Sequence, residues 1–115
     1  MTNKTTTNSY DDICQNIETI RTRATNGDAD AQNKIGICYF KGIAGYPQDY
    51  SQAIEWFAKS AEQGFAKAQS NLAYRYLYGE GDEQNSFKAV ELFLKSAQQG
   101  NVIAACQLDQ CYQEG

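Results

Sequence analysis

Residues 56–64 read WFAKSAEQG, and residues 92–100 read LFLKSAQQG. The two stretches stand 36 positions apart and share Phe, Lys-Ser-Ala, Gln and Gly in the same places. The likeness extends outward, because KAQSNLAYRYLYG at 67–79 repeats the logic of DAQNKIGICYFKG at 30–42 with an offset of 37. The one-residue difference falls where GIAGYPQDYSQA faces the shorter GEGDEQNSFKA. Glycines gather there, as in a loop that tolerates length change. A third, partial copy follows in NVIAACQLDQCYQEG at 101–115, where Ala104, Leu108, Tyr112 and Gly115 keep the spacing. Such a period marks a stacked repeat, in which no unit can bury its own apolar face alone.

Each unit reads as two helices. Ala31, Ile35 and Tyr39 recur every fourth residue as one apolar stripe, and Gly42 supplies a stop. A second helix opens after Pro47 with Asp49 as its cap, and Gln52 stands where it could reach back to the cap. Its stripe is Ala53, Phe57 and Ala61, ending at Gly64. The next unit repeats the plan with Ala68, Leu72 and Tyr76, then Asn85 as cap, then Ala89, Phe93 and Ala97 before Gly100. Small residues at Gly36, Ala53, Ala73 and Ala89 let paired helices approach closely. The pattern predicts an all-α fold, an α/α solenoid of antiparallel helix pairs with about two and a half repeats and an N-terminal capping helix. Its expected parts are a tail and capping helix over 1–26, repeats over 27–64 and 65–100, and a partial repeat over 101–115 acting as the C-terminal cap. In the first part, Ser9 and Asp12 offer a start signal, and Ile17, Ile20 and Ala24 take the places of Ile54, Phe57 and Ala61. At the far end Asp109 stands where the units carry Gly36 and Ala73. A carboxylate there suits water rather than a tightly packed helix, so the last helix is expected to close the stack as the end of a complete short protein.

These residues resemble the pattern of Sel-1-like repeats, relatives of the tetratricopeptide repeats. The first unit carries it at Ala31, Ile35, Gly36, Tyr39, Gly42, Gly45, Asp49, Ala53, Trp56, Lys59, Ala61 and Gly64. The second is similar at Ala68, Leu72, Ala73, Tyr76, Gly79, Gly81, Asn85, Lys88, Ala89, Lys95, Ala97 and Gly100. Departures are the extra residue in GIAGYP, Asp82 at a usually apolar place, and Leu92 in place of Trp. The resemblance implies a superhelix whose first helices line a concave face that binds proteins. Some cysteine-rich relatives are reported to act on β-lactams, but their regular disulfide spacing is missing here, and no enzymatic activity is expected.

Composition narrows the partners. The 115 residues are 42% hydrophobic with a net charge of −4. An acidic chain is a poor match for a phosphate backbone, whose binding rests on counterion release by Lys and Arg. No apolar run approaches the ~20 residues of a membrane-spanning helix. The start, MTNKTTTNSYDDICQNI, lacks the apolar core of a secretory signal, and a cytoplasmic location is expected. Cys14, Cys38, Cys106 and Cys111 form no Cys-X-X-Cys pair, and there is no histidine. The usual zinc and c-type haem patterns are therefore absent, and neither metal nor cofactor is expected. Disulfides stay open at this level, but free buried or half-buried thiols are the expectation.

Candidate contacts are outward positions between the stripe residues of the first helices. They are Asn33, Lys34, Ile37 and Lys41, then Ser70, Asn71, Tyr74 and Tyr78, then Gln107 and Gln110. Amides can pair a peptide backbone, and rings give much contact area for little entropy. The run YRYLY at 74–78 is the sharpest feature, with Tyr76 in the core stripe and Tyr74 and Tyr78 on another face. Trp56 reads as packing, Lys59 and Lys95 as stems lying over apolar neighbours, and GEGDEQN as a solvated turn without calcium-ligand spacing. The expected role is an adaptor or scaffold module that holds a peptide or protein surface. The alternative is an inhibitor or immunity protein that neutralises one toxin or enzyme. Self-association into a homodimer through a terminal helix would add stability to so short a stack.

Overall fold

In the computed structural model, which describes residues 11–114, the two quoted stretches form the ends of equivalent helices. The helices are α1 (Asp11–Gln15), α2 (Ile17–Thr25), α3 (Ala29–Lys41), α4 (Tyr50–Glu62), α5 (Ala66–Tyr78), α6 (Ser86–Gln98) and α7 (Val102–Glu114), with no strand among the described residues. The main packing contacts all join helices consecutive in the chain, and the molecule extends 50 × 29 × 23 Å. This is the α/α solenoid that the period requires.

The copied serines and glutamines explain why the stretch recurs. Ser60 and Ser96 are fully buried, and their hydroxyls donate to the carbonyls of Ala29 and Ala66, the first residues of the partner helices, at 2.7 and 2.8 Å. Gln63 Nε2 donates to Gln32 Oε1 at 2.9 Å, and Gln99 Nε2 to Gln69 Oε1 at 2.8 Å. The acceptor glutamines continue the chain backwards, Gln32 donating to the Ala24 carbonyl and Gln69 to that of Ala61. Each second helix is thus tied through the first helix of its pair to the helix before. Most buried polar groups in proteins are satisfied in this way.

Apolar packing follows the same plan. Ala53, Phe57, Ala68, Ala73, Ala89, Phe93 and Ala104 are all at or below 1% exposure. At Gly36 an added Cβ would lie 2.6 Å from Phe57 Cδ1, so glycine is what allows the ring to rest on α3. Asp49 and Asn85 cap α4 and α6 by accepting from the N–H groups of Gln52 and Lys88. Before the first pair, Ile20 and Ala24 of α2 are buried against α3 as the alignment requires. The expected single helix there is broken, however. Asn16 donates its side-chain amide to the Asp12 carbonyl and separates α1 from α2. Asp109 is exposed, as a carboxylate should be. Ser9, Gly115 and the side chains of Cys111 and Tyr112 lie outside the described residues.

Two expectations need correction. Cys14 and Cys106 are exposed rather than buried or half-buried. Cys38 is free and buried, and burial pushes its thiol up to about 11. The loop GEGDEQN is not wholly solvated either, because Glu80 turns back to the guanidinium of Arg75, which is only 7% exposed. Arg75 Nε and Glu80 Oε1 stand 3.0 Å apart, in ionic contact but without hydrogen-bond alignment. Burial lowers the pKa of Arg75 against the raising effect of Glu80. The guanidinium carbon lies 3.8 Å from the centre of the Phe40 ring, which stacks on Tyr50. Gly81 completes this junction: at φ +98° an added Cβ would meet the Tyr50 carbonyl oxygen at 2.7 Å. Repeat two is thereby locked onto repeat one by a charge that occupies the place of Cys38.

Three outcomes follow in urea unfolding. Ser60→Ala and Ser96→Ala should each cost about 0.5–1.5 kcal/mol, because each removes a buried hydrogen bond between paired helices. Gly36→Ala should lower stability by about 1–3 kcal/mol despite the better helix propensity of alanine, and a cycle with Phe57→Leu should show the two changes coupled. Glu80→Gln should cost about 1–3 kcal/mol by leaving Arg75 buried without a counter-charge, whereas removing both charges together in Arg75→Met with Glu80→Gln should stay within about 1 kcal/mol of the parent.

Candidate functional site

The first helices α3 and α5, with the start of α7, enclose a groove of about 510 Å³. The stacking just described builds it: α4 and α6 hold the first helices side by side, and their intervening faces remain open. Of the expected contacts, Asn33, Ile37, Ser70, Asn71 and Tyr74 line this one groove. Asn33 and Ser70 are far more buried than surface positions, at 4% and 6% exposure.

Its polar groups are partly committed. Asn71 Nδ2 donates to Asn33 Oδ1 at 2.9 Å, linking α5 to α3 across the floor. The Tyr74 hydroxyl donates to Gln107 Oε1 at 3.3 Å, and Gln107 donates in turn to Gln110. The Tyr74 ring packs edge-on against buried Phe93 at 5.0 Å, so Tyr74 belongs to the core as well as to the groove. Tyr78 stacks on Tyr74 with centroids 6.1 Å apart and stays 59% exposed. Five expected residues, Lys34, Lys41, Tyr78, Gln107 and Gln110, lie outside the lining. Lys34 pairs with Asp30 at 3.0 Å, and Lys41 lies over the Phe40 ring.

Sequence reading missed the opposite wall. Ala66 and Lys67 from the first turn of α5, and Gln99, Gly100, Asn101 and Ile103 around the α6–α7 corner, complete the lining. These residues sit at helix starts and in a turn, where a search along helix stripes does not look. Ile103 is 64% exposed, and such a residue at a helix start was the one available signal. Lys67 is the only charged residue in the lining.

Outside the groove, Trp56 is partly buried in the first core cluster, with Lys59 Nζ 4.2 Å from its ring centre. A smaller cleft of about 320 Å³ runs between α4 and α6 over Leu72, Tyr76 and Leu92, where Lys88 and Lys95 form part of the wall. No group of three or more metal-ligating side chains occurs among the described residues. No helix among them is long and apolar enough to cross a membrane.

Comparison with known proteins agrees with this architecture. The chain is similar to the E. coli protein c5321, a protective antigen of uropathogenic strains displaying an SLR fold, with a TM-score of 0.82 and 38% identity over 87% of this chain and 21% of that one. A Sel1 repeat protein from Oxalobacter formigenes gives 0.80 and 36% over 85% of this chain and 28% of its own. Among curated proteins, the Arabidopsis thaliana ERAD-associated E3 ubiquitin-protein ligase component HRD3A is 30% identical over 67 residues, 58% of this chain and 10% of that protein. Chitin synthase regulatory factor 3 of Schizosaccharomyces pombe is 36% identical over 62 residues, 54% of this chain and 7% of its own length. The chain therefore spans about a tenth or less of these two curated relatives. The Sel1 repeat model matches residues 29–65 and 66–101, well over half of the sequence, and the chain belongs to the Sel1 repeat family.

Proposed function

We propose that this chain is a protein-interaction module that holds a peptide segment of a partner in the first-helix groove, in an adaptor or scaffold role. The observation that carries this reading is the Asn33–Asn71 pair. One amide donates to the other across the floor, which leaves an NH2 group on one residue and a carbonyl oxygen on the other. Exchanging the assigned O and N atoms of both side chains leaves the same offer, one donor and one acceptor. That is the complement of a peptide unit, which also presents one of each. Beside the pair, Ile37, Ile103 and the Tyr74 ring supply apolar contact for neighbouring side chains. A groove that mixes a few placed polar groups with apolar walls suits such a ligand.

The relatives support a role alongside other proteins: one is named as a component of an E3 ubiquitin-protein ligase, another as a regulatory factor. The inhibitor alternative gains no support from them. Binding is the proposed role, with no reaction assigned.

A peptide-display selection on the purified chain tests this. Selected peptides should lose about tenfold or more in affinity to Asn71→Arg, which fills the groove floor, and several-fold to Tyr78→Ala. They should bind Lys88→Glu, changed in the α4–α6 cleft, as they bind the parent. Circular dichroism melts confirm that each variant is folded. Peptides that bind Asn71→Arg undiminished would move the site elsewhere.

A further inference from the structure

The groove contains one cation and one hydroxyl that have no partner among the described residues. Lys67 is exposed, has no ion pair among the described residues, and is the only charge in the lining of a protein whose net charge is −4. One turn further along α5, Ser70 lines the same groove at 6% exposure, and its hydroxyl has no hydrogen-bond partner among the described residues. Ser70 is almost wholly buried, yet its hydroxyl keeps contact with the groove, where it is placed to donate to a ligand acceptor. Two other polar residues of the lining, Asn101 and Gln99, are engaged within the fold. Asn101 caps α7 and donates to Ser96, while Gln99 donates to Gln69.

The start of α5 adds to this. Asp28, Asp49, Asn85 and Asn101 each accept from first-turn N–H groups of α3, α4, α6 and α7. At α5 the capping position is Phe65, which offers no acceptor. Its first-turn N–H groups keep their partial positive charge beside Lys67. On the far side of Ser70, Asn33 is 4% exposed and accepts from Asn71, while its own NH2 donates to nothing among the described residues.

We propose that the groove selects an acidic side chain within a bound peptide segment, with the carboxylate held by Lys67 and the Ser70 hydroxyl and an adjacent peptide unit on the Asn33–Asn71 pair. This rests on the peptide-binding reading and specifies its partner. A carboxylate accepts at both oxygens and answers a cation and a hydroxyl together. The lining continues to Ile37 on one side of this point and to Ile103 on the other, so the segment runs through, with apolar residues flanking the acid. A single lysine in an acidic chain is matched to one carboxylate, and a polyanion would be repelled.

The test is a titration of the 15N-labelled chain with three probes: N-acetyl-Leu-Glu-Leu-amide, its Gln counterpart, and N-acetyl-Leu-Leu with a free terminal carboxylate. The Glu peptide should move the resonances of Lys67, Ser70 and the Asn33 side-chain amide, and bind about fivefold or more tightly than the Gln peptide, as a charge-assisted bond requires. That preference should vanish in Lys67→Met, persist in Lys67→Arg, and shrink in Ser70→Ala. Equal binding of Glu and Gln peptides in the groove would overturn the acidic preference and leave the peptide-binding reading standing. Tighter binding of the free-carboxylate peptide would replace the side chain by a chain terminus. Changes confined to other faces, or none with any probe, would overturn both readings.

Discussion

A serine hydroxyl buried between two helices sets the geometry on which this protein depends. Ser60 and Ser96 each reach the opening carbonyl of the partner helix about 30 residues earlier, and they do so from the same place in the repeat. A hydrogen bond at this depth cannot slide, because a shifted register would leave the buried hydroxyl without its acceptor. The glutamine relay beside it, from Gln63 through Gln32 to Ala24 and from Gln99 through Gln69 to Ala61, extends the same restriction from within a pair to the junction between pairs. With the second helices fixed in this way, the first helices stand at a set spacing, and the groove they enclose has a set width.

Differences between the units are as informative as their likeness. The place of buried Cys38 is taken in the next unit by Arg75, whose charge lies over Phe40 and against Glu80. A buried charge is costly unless it is paired, and the pairing enlists the loop, which Gly81 brings onto the Tyr50 carbonyl. The longer first loop takes another course, with Tyr46 set edge-on against Tyr39 and accepting from Arg21 of α2. Loop length and loop contents thus follow which neighbour each loop must reach.

The groove shows where sequence reasoning reached and where it stopped. Asn33, Ile37, Ser70, Asn71 and Tyr74 were legible, because the helix period separates positions between stripe residues from the stripe itself. Lys34 and Lys41 occupy equally plausible positions, yet one is paired to Asp30 and the other lies over Phe40, and local partners of that kind depend on side-chain conformation. Lys67, Asn101 and Ile103 were not legible, because they enter the groove from helix starts and a corner. Their place depends on how α5 and α7 lie beside one another, which is a property of the stack and of no single helix.

Periodicity in the sequence determined that the chain is helical, that its helices come in pairs, where the caps and stops fall, and which stripe is buried, since all of these follow from local backbone preference and the 3.6-residue turn. Family membership rests on the same residues. Tertiary structure alone decided which polar residues are spent on holding the stack and which are left facing the groove. Ser60 and Ser70 are both buried serines on helices, but one faces a carbonyl and the other an open groove, and only the packing of neighbouring helices distinguishes them.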